Sequence, residues 1–262
     1  MRVLIEASLA LRFPCPTEAI AAILVADTPG QTVLAETLKL STGAALAESA
    51  DPVSGARLLR GPLDGEVRLE YNAEVLIGPR LELPASAVAA PWSALPVEVL
   101  TYLMSSRYCP VEQFLRFAAR EFGQHEAGGA KVLAILDWLG THVEYVHGVS
   151  TFTTDAARSF IDRAGVCRDF THLGLTLCRA AGIPARAVSA YALGLNPPDF
   201  HAVFEVFLNG GWWLVDPTRL APVAGLVRIA HGRDAADIAW LTTAGDVQQT
   251  GMSVSVREHL RA

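Results

Sequence analysis

The stretch from Gly165 to Asp216 constrains the chain most tightly. Phe170, Leu173, Gly174, Leu177, Cys178 and Ala181 fall on one stripe of a helix that begins at Cys167. Gly182 and Pro184 stop that helix. A strand-like run, Ala185–Leu193, follows. Two more runs, His201–Leu208 and Gly211–Asp216, flank Asn209-Gly210, a strong two-residue hairpin signal. This order of elements fixes where several reactive side chains fall.

The rest of the chain bounds the possibilities. Its 262 residues suit one large domain or two small ones. A composition of 51% hydrophobic and 18% charged residues fits a folded protein. The longest uninterrupted apolar run, Ala19–Ala26, falls far short of the ~18–20 residues of a spanning helix, so no membrane partner is expected. Glu6 so close to Met1, with no small-residue cleavage site, argues against a secretory signal and for the cytoplasm. A net charge of −6 argues against nucleic acid as a partner. The four cysteines, Cys15, Cys109, Cys167 and Cys178, form no CxxC pair and are expected to be reduced thiols.

Residues 1–90 read as a β-rich, sandwich-like N-terminal region. Val3–Leu11, Ile20–Val25, Thr32–Leu40 and Glu66–Ile77 are short apolar-rich segments. Turn clusters such as Pro14-Cys15-Pro16 and Asp64-Gly65 separate them. The alanine-rich Ala19–Val25 leaves a helix open there. Pro79, Pro84, Pro91 and Pro96 then mark a linker or an extended wrapping segment. Residues 91–262 open with helical patterns at Val111–Phe122, Lys131–Val143 and Ala156–Ala164. Thr154 or Asp155 is the expected cap of the third, and Gly165 its stop.

Cys167 sits at a helix N-terminus, where unpaired N–H groups carry positive partial charge. A thiolate is stabilised there, and the same N–H groups can receive an oxyanion. Cys178, on the apolar stripe, reads as a buried inert thiol. A cysteine nucleophile needs a base, and the base needs an orienting group. If Asn209-Gly210 is a two-residue turn, Leu208 pairs with Gly211 and Asp216 lies opposite Val203. Val203 shares a face with His201, so His201 and Asp216 are diagonal neighbours ~7–8 Å apart. A three-residue turn would put them on opposite faces.

Other groups are placed less well. Glu205 shares the face of His201 but lies ~13 Å along the strand. Asp199 follows the Pro197-Pro198 turn and reads as a solvated loop residue. His172 is about 140° around the helix from Cys167 and reads as a supporting or core histidine. Zinc held by Cys167, His201 and Asp216 is the sharpest chemical rival, because these residue types bind zinc with a water in the fourth position.

Three blocks, in order, resemble the transglutaminase-like superfamily, in its bacterial transglutaminase-like or cysteine-protease branch. They are Gly165-Val166-Cys167-Arg168-Asp169-Phe170-Thr171-His172 running on to Ala190-Tyr191, then Asp199 to Phe207, then Trp212-Trp213-Leu214-Val215-Asp216-Pro217-Thr218. Ser106-Arg107-Tyr108-Cys109-Pro110 upstream also looks like that branch. The resemblance is strong over residues 100–235. It implies an α+β, papain-like transglutaminase core, with the nucleophile helix packed on an antiparallel sheet, over residues 91–262. It carries Cys167 over as nucleophile, His201 as base and Asp216 as orienter. It implies a cysteine-dependent amide or peptide hydrolase or acyl transferase acting on a peptide, protein or small amide. A catalytically silent binding module of the same fold is the alternative. No acidic cluster resembles the calcium sites of animal transglutaminases, so no metal or cofactor is expected. The side chain completing the oxyanion site is open among Trp138, Tyr145 and Tyr108.

Overall fold

Alternating burial organises the first sheet. The computed structural model describes residues 1–41 and 46–259. Strand β1 (Arg2–Ala21) buries Val3, Ile5, Ala7, Leu9, Leu11 and Phe13 on one face, as the two-residue strand period requires. After β2 (Gln31–Leu40) and β3 (Ala47–Ala50), β4 (Arg57–Ile77) returns antiparallel to β1. The register sets Val3 opposite Val75, Ile5 opposite Ala73 and Leu9 opposite Leu69, so apolar side chains meet across the strands.

Two expected turns prove to be an irregularity within these long strands. The register shifts between Phe13 and Thr17, where Pro14-Cys15-Pro16 sits, and Phe13 pairs with Gly65. Prolines cannot donate to the ladder, so the pair bulges there and then resumes. Ala19–Ala21, where a helix was open, belongs to β1. The sheet has six strands, and its remaining two come from the other end of the chain. Strands β11 (Leu241–Thr243) and β12 (Gln248–Glu258) both pair with β1.

Between these halves the chain builds its second layer. It runs through α1 (Val97–Leu100), α2 (Leu115–Phe122), α3 (Gly129–His142), β5 (Glu144–Tyr145), α4 (Ala156–Asp162), β6 (Ala164–Gly165) and α5 (Cys167–Ala180). The four-stranded antiparallel sheet β10-β7-β8-β9 follows, from β7 (Ala185–Ala192), β8 (Phe200–Leu208), β9 (Gly211–Val215) and β10 (Leu226–Gly232). Asp155 caps α4 by accepting from Arg158 N–H at 2.8 Å. That helix ends on Arg163 in the left-handed region, before Gly165, which instead pairs in β6.

Helix α5 lies at the centre of this layer. Its stripe packs on the sheet, with Gly174 against Phe204. Its other faces are buried as well, because α2, α3 and α4 surround it. Arg179, among the polar residues on those faces, is paired inside the protein. Arg179 donates to the carbonyls of Ala185, Met104 and Arg233 and to Ser106 Oγ.

The layers share a core. Tyr191, Val227 and Ile229 of the second sheet lie among the buried side chains of β1 and β4. Tyr191 also donates its hydroxyl to the Ile23 carbonyl at 2.6 Å. Among the described residues, no helix is long and apolar enough to cross a membrane.

Candidate active site

The start of α5 is shaped by Asp169. Its Oδ2 accepts from Val166 N–H at 2.8 Å, and its Oδ1 from Ser150 Oγ at 2.9 Å. A Cβ on Gly165 would stand 2.5 Å from Asp169 Cβ, so only glycine lets the carboxylate fold back this far. Cys167 thereby becomes the first helical residue, partly exposed, with N-terminal N–H groups around it. Cys15, Cys109 and Cys178 are also free thiols, the last two buried. Burial pushes Cys109 up to about 11 and Cys178 up to about 12, which keeps both protonated.

The hairpin forms as its turn residues demand. Asn209 and Gly210 have φ of 52° and 75°, the paired positive values of a two-residue turn. Leu208 pairs with Gly211 and Phe204 with Val215, which sets Asp216 one residue beyond the ladder. His201 Nε2 lies 3.0 Å from Asp216 Oδ2 and donates to it, both residues being buried. Asp216 also accepts from Thr218 N–H at 2.9 Å, Thr218 Oγ1 at 2.7 Å and Ala221 N–H at 3.0 Å. Burial would raise the Asp216 carboxyl, but the hydrogen bond and charge of His201, with the Thr218 donors, hold it below its usual range.

Nδ1 is the ring nitrogen left for Cys167, and it is buried without a formed hydrogen bond. Cys167 and His201 line the same cleft. Burial would lower the imidazole. The hydrogen bond and charge of Asp216, with the neighbouring Cys167, outweigh it and raise His201 to about 9. The Asp216 carboxylate therefore favours the charged form of the ring.

Of the three candidate oxyanion donors, Tyr145 is the one beside Cys167. Trp138 stacks on His142 and Phe160 in the core. Tyr108 donates to the Phe152 carbonyl and stacks on His172. Tyr145 pairs with Gly165 across β5 and β6, two residues before Cys167. Burial, and then the neighbouring Cys167 charge, push its hydroxyl up to about 12, so it remains a neutral donor.

His172 supports the opposite wall of the cleft. Its Nε2 accepts from Ala235 N–H at 3.2 Å, and burial lowers it to about 3, so it stays neutral. Asp234 holds the same loop, accepting from Tyr108 N–H and Ala236 N–H at 2.9 Å each. Glu205 is taken up by Arg186 and Arg228, away from the cleft. Asp199 is an exposed loop residue just before β8, as expected, and it also lines the cleft with Cys167 and His201. Burial raises its carboxyl. Ser189, near the end of the first matching block, lines the same cleft, as does the loop around Trp240, which carried no local sequence signal. Among the described residues, no group of three His, Cys, Asp or Glu side chains is placed to hold a metal ion.

The sequence pattern of the "Transglutaminase-like superfamily" matches residues 116–217, a span that contains Cys167, His201 and Asp216. A crystal structure described as a "Putative Cysteine Protease" from Cytophaga hutchinsonii superimposes with a TM-score of 0.91 and 37% identity, covering 98% of this chain and 90% of that one. The chain belongs to the transglutaminase-like superfamily. The protein ML0607 of Mycobacterium leprae is 28% identical over 149 residues, and the match spans only 52% of each protein. The periplasmic domain of TgpA from Pseudomonas aeruginosa is 18% identical with a TM-score of 0.45, covering 84% of this chain and 89% of that domain. The α+β transglutaminase-like core expected from the three sequence blocks is the fold observed, with α5 packed on the antiparallel sheet.

Proposed function

We propose that this superfamily member is a cysteine-dependent amide or peptide hydrolase or acyl transferase, working through Cys167, His201 and Asp216. The observation that carries this reading is the buried His201–Asp216 pair, 3.0 Å apart, in the cleft that holds the first residue of α5. A histidine held charged by a carboxylate, beside a cysteine at a helix N-terminus, is the arrangement that sustains a thiolate.

The steps follow from that placement. The Cys167 thiol proton resides on His201 Nδ1, and the thiolate forms a C–S bond to the amide carbonyl. The carbonyl π electrons move to oxygen, where the Cys167 N–H and the Tyr145 hydroxyl donate to the oxyanion. As the C–N bond breaks, His201 gives its proton to the leaving amine and a thioester remains. Water or a second amine then loses a proton to His201, attacks the thioester and releases the acid or the new amide. Asp216 keeps Nε2 protonated and stabilises the imidazolium throughout.

An activated acyl probe directed at thiols tests the reading by intact mass. One acyl adduct is expected on the wild type and none on Cys167→Ala. Equal labelling of the two would overturn the assignment, and an inert Cys167 would favour a silent binding module of the same fold.

A further inference from the structure

The cleft beside Cys167 has a volume of about 240 Å³, below the ~300–1,000 Å³ of sites that enclose a whole small molecule. It has room for one large side chain. One wall is apolar, formed by Phe200, Ile238, Trp240 and Met252. Phe200 and Trp240 stack nearly parallel, 6.1 Å apart. This wall is held at both ends. The Trp240 carbonyl accepts from Ala22 N–H of the N-terminal segment at 3.0 Å, while Ala235 is tied to His172. Met252 comes from β12, so the first sheet contributes to the cleft.

The polar groups of the cleft are sparse. Ser189 is 8% exposed, and its Oγ has no partner within the protein. A buried hydroxyl left unpaired is unfavourable, so a ligand group that pairs with it is favoured. Asp199 stands at the rim, bonded only to its neighbour Phe200 N–H at 2.7 Å. Arg168 Nη2 donates to Ser150 Oγ and the Thr151 carbonyl. An acidic side chain entering here would meet the Asp199 carboxylate at the rim.

Resting on the nucleophile reading above, we propose that this cleft is a specificity subsite. It takes a large apolar or aromatic side chain flanking the reacting amide of a peptide, and Ser189 Oγ pairs with the peptide backbone. Trp240, Phe200 and Met252 select the side chain, and Asp199 disfavours an acidic one. The N-terminal sheet is thereby part of substrate recognition through β12.

Binding to the full-length Cys167→Ala protein tests this without turnover. Acetylated tripeptide amides, Gly-X-Gly with X as Phe, Leu, Ala or Glu, are titrated calorimetrically. Phe and Leu peptides are expected to bind at least about tenfold more tightly than the Ala peptide, and the Glu peptide most weakly. Adding Trp240→Ala should erase the preference. Met252→Glu, at an exposed position on β12, should weaken the Phe peptide without disturbing the fold. Equal affinities across the series, or a preference that survives both substitutions, would overturn the subsite. Because the thiol is absent, these outcomes stand apart from the nucleophile assignment. A His201-dependent thiol with no side-chain preference sinks the subsite alone.

Discussion

His201 is the residue on which the site turns. Asp216 and Cys167 together overcome the burial that would discharge it, raising it to about 9. In Asp216→Asn the charge and part of the hydrogen bond are lost, so the imidazole midpoint should fall well below 9, as read by NMR titration. An unchanged midpoint would mean that Asp216 does not act on the ring. The raised value also links to stability. A histidine whose folded value lies above its unfolded one stabilises fully below about 6.5, and that contribution is lost as pH rises through about 9. The melting temperature should therefore decline over this window, and decline less in His201→Ala, when followed by calorimetry. The placement of Cys167 at the start of α5 and of His201 beside Asp216 was legible because a helix start and a hairpin turn each place a side chain by local rules. The lining of the cleft was not, because its walls come from α5 and the loop before β11.

At the scale of elements, the junction of α5 with β8 has no slack. A Cβ on Gly174 would lie 2.6 Å from Phe204 Cε1 and 3.1 Å from Cζ. Gly174→Ala should cost about 1–3 kcal/mol by urea denaturation, with partial recovery in the double variant with Phe204→Leu. Failure of Phe204→Leu to recover stability would place the strain elsewhere. The hairpin offers a sharper test of register. One glycine inserted between Asn209 and Gly210 shifts β9 against β8, turning Asp216 away from His201. The inserted protein should stay folded by circular dichroism and lose the fast alkylation of Cys167. The hairpin was readable because Asn209-Gly210 specifies its own turn. The long strands were not, because the irregularity at Pro14-Cys15-Pro16 looks like a turn until Phe13 is seen paired with Gly65.

Over the whole molecule, charge and packing join the two layers. Glu205 is fully buried between Arg186 at 2.7 Å and Arg228 at 2.7 Å. Arg228 N–H donates to Gln31 Oε1 at 2.9 Å, and Gln31 Nε2 donates to the Arg228 and Ala26 carbonyls, which ties the second sheet to the first. Removing Glu205 leaves two largely buried guanidinium groups without their anion. Glu205→Ala should therefore cost about 3–5 kcal/mol by denaturant unfolding. Unfolding should remain a single transition, because Tyr191, Val227 and Ile229 sit in the core of the first sheet. Two separate transitions would contradict a shared core. The pairing of β12 with β1 spans nearly the whole sequence and leaves no local trace, so the part of the N-terminal sheet in the cleft was legible only in three dimensions.

The most direct test of the central claim is the pH dependence of Cys167 alkylation by iodoacetamide, followed by intact mass, in wild type and His201→Ala. A working Cys–His pair predicts fast modification at pH ~6, well below the ~8.5 of an unperturbed thiol, and marked slowing in the variant. Slow modification at pH ~6 that is indifferent to His201 would contradict it.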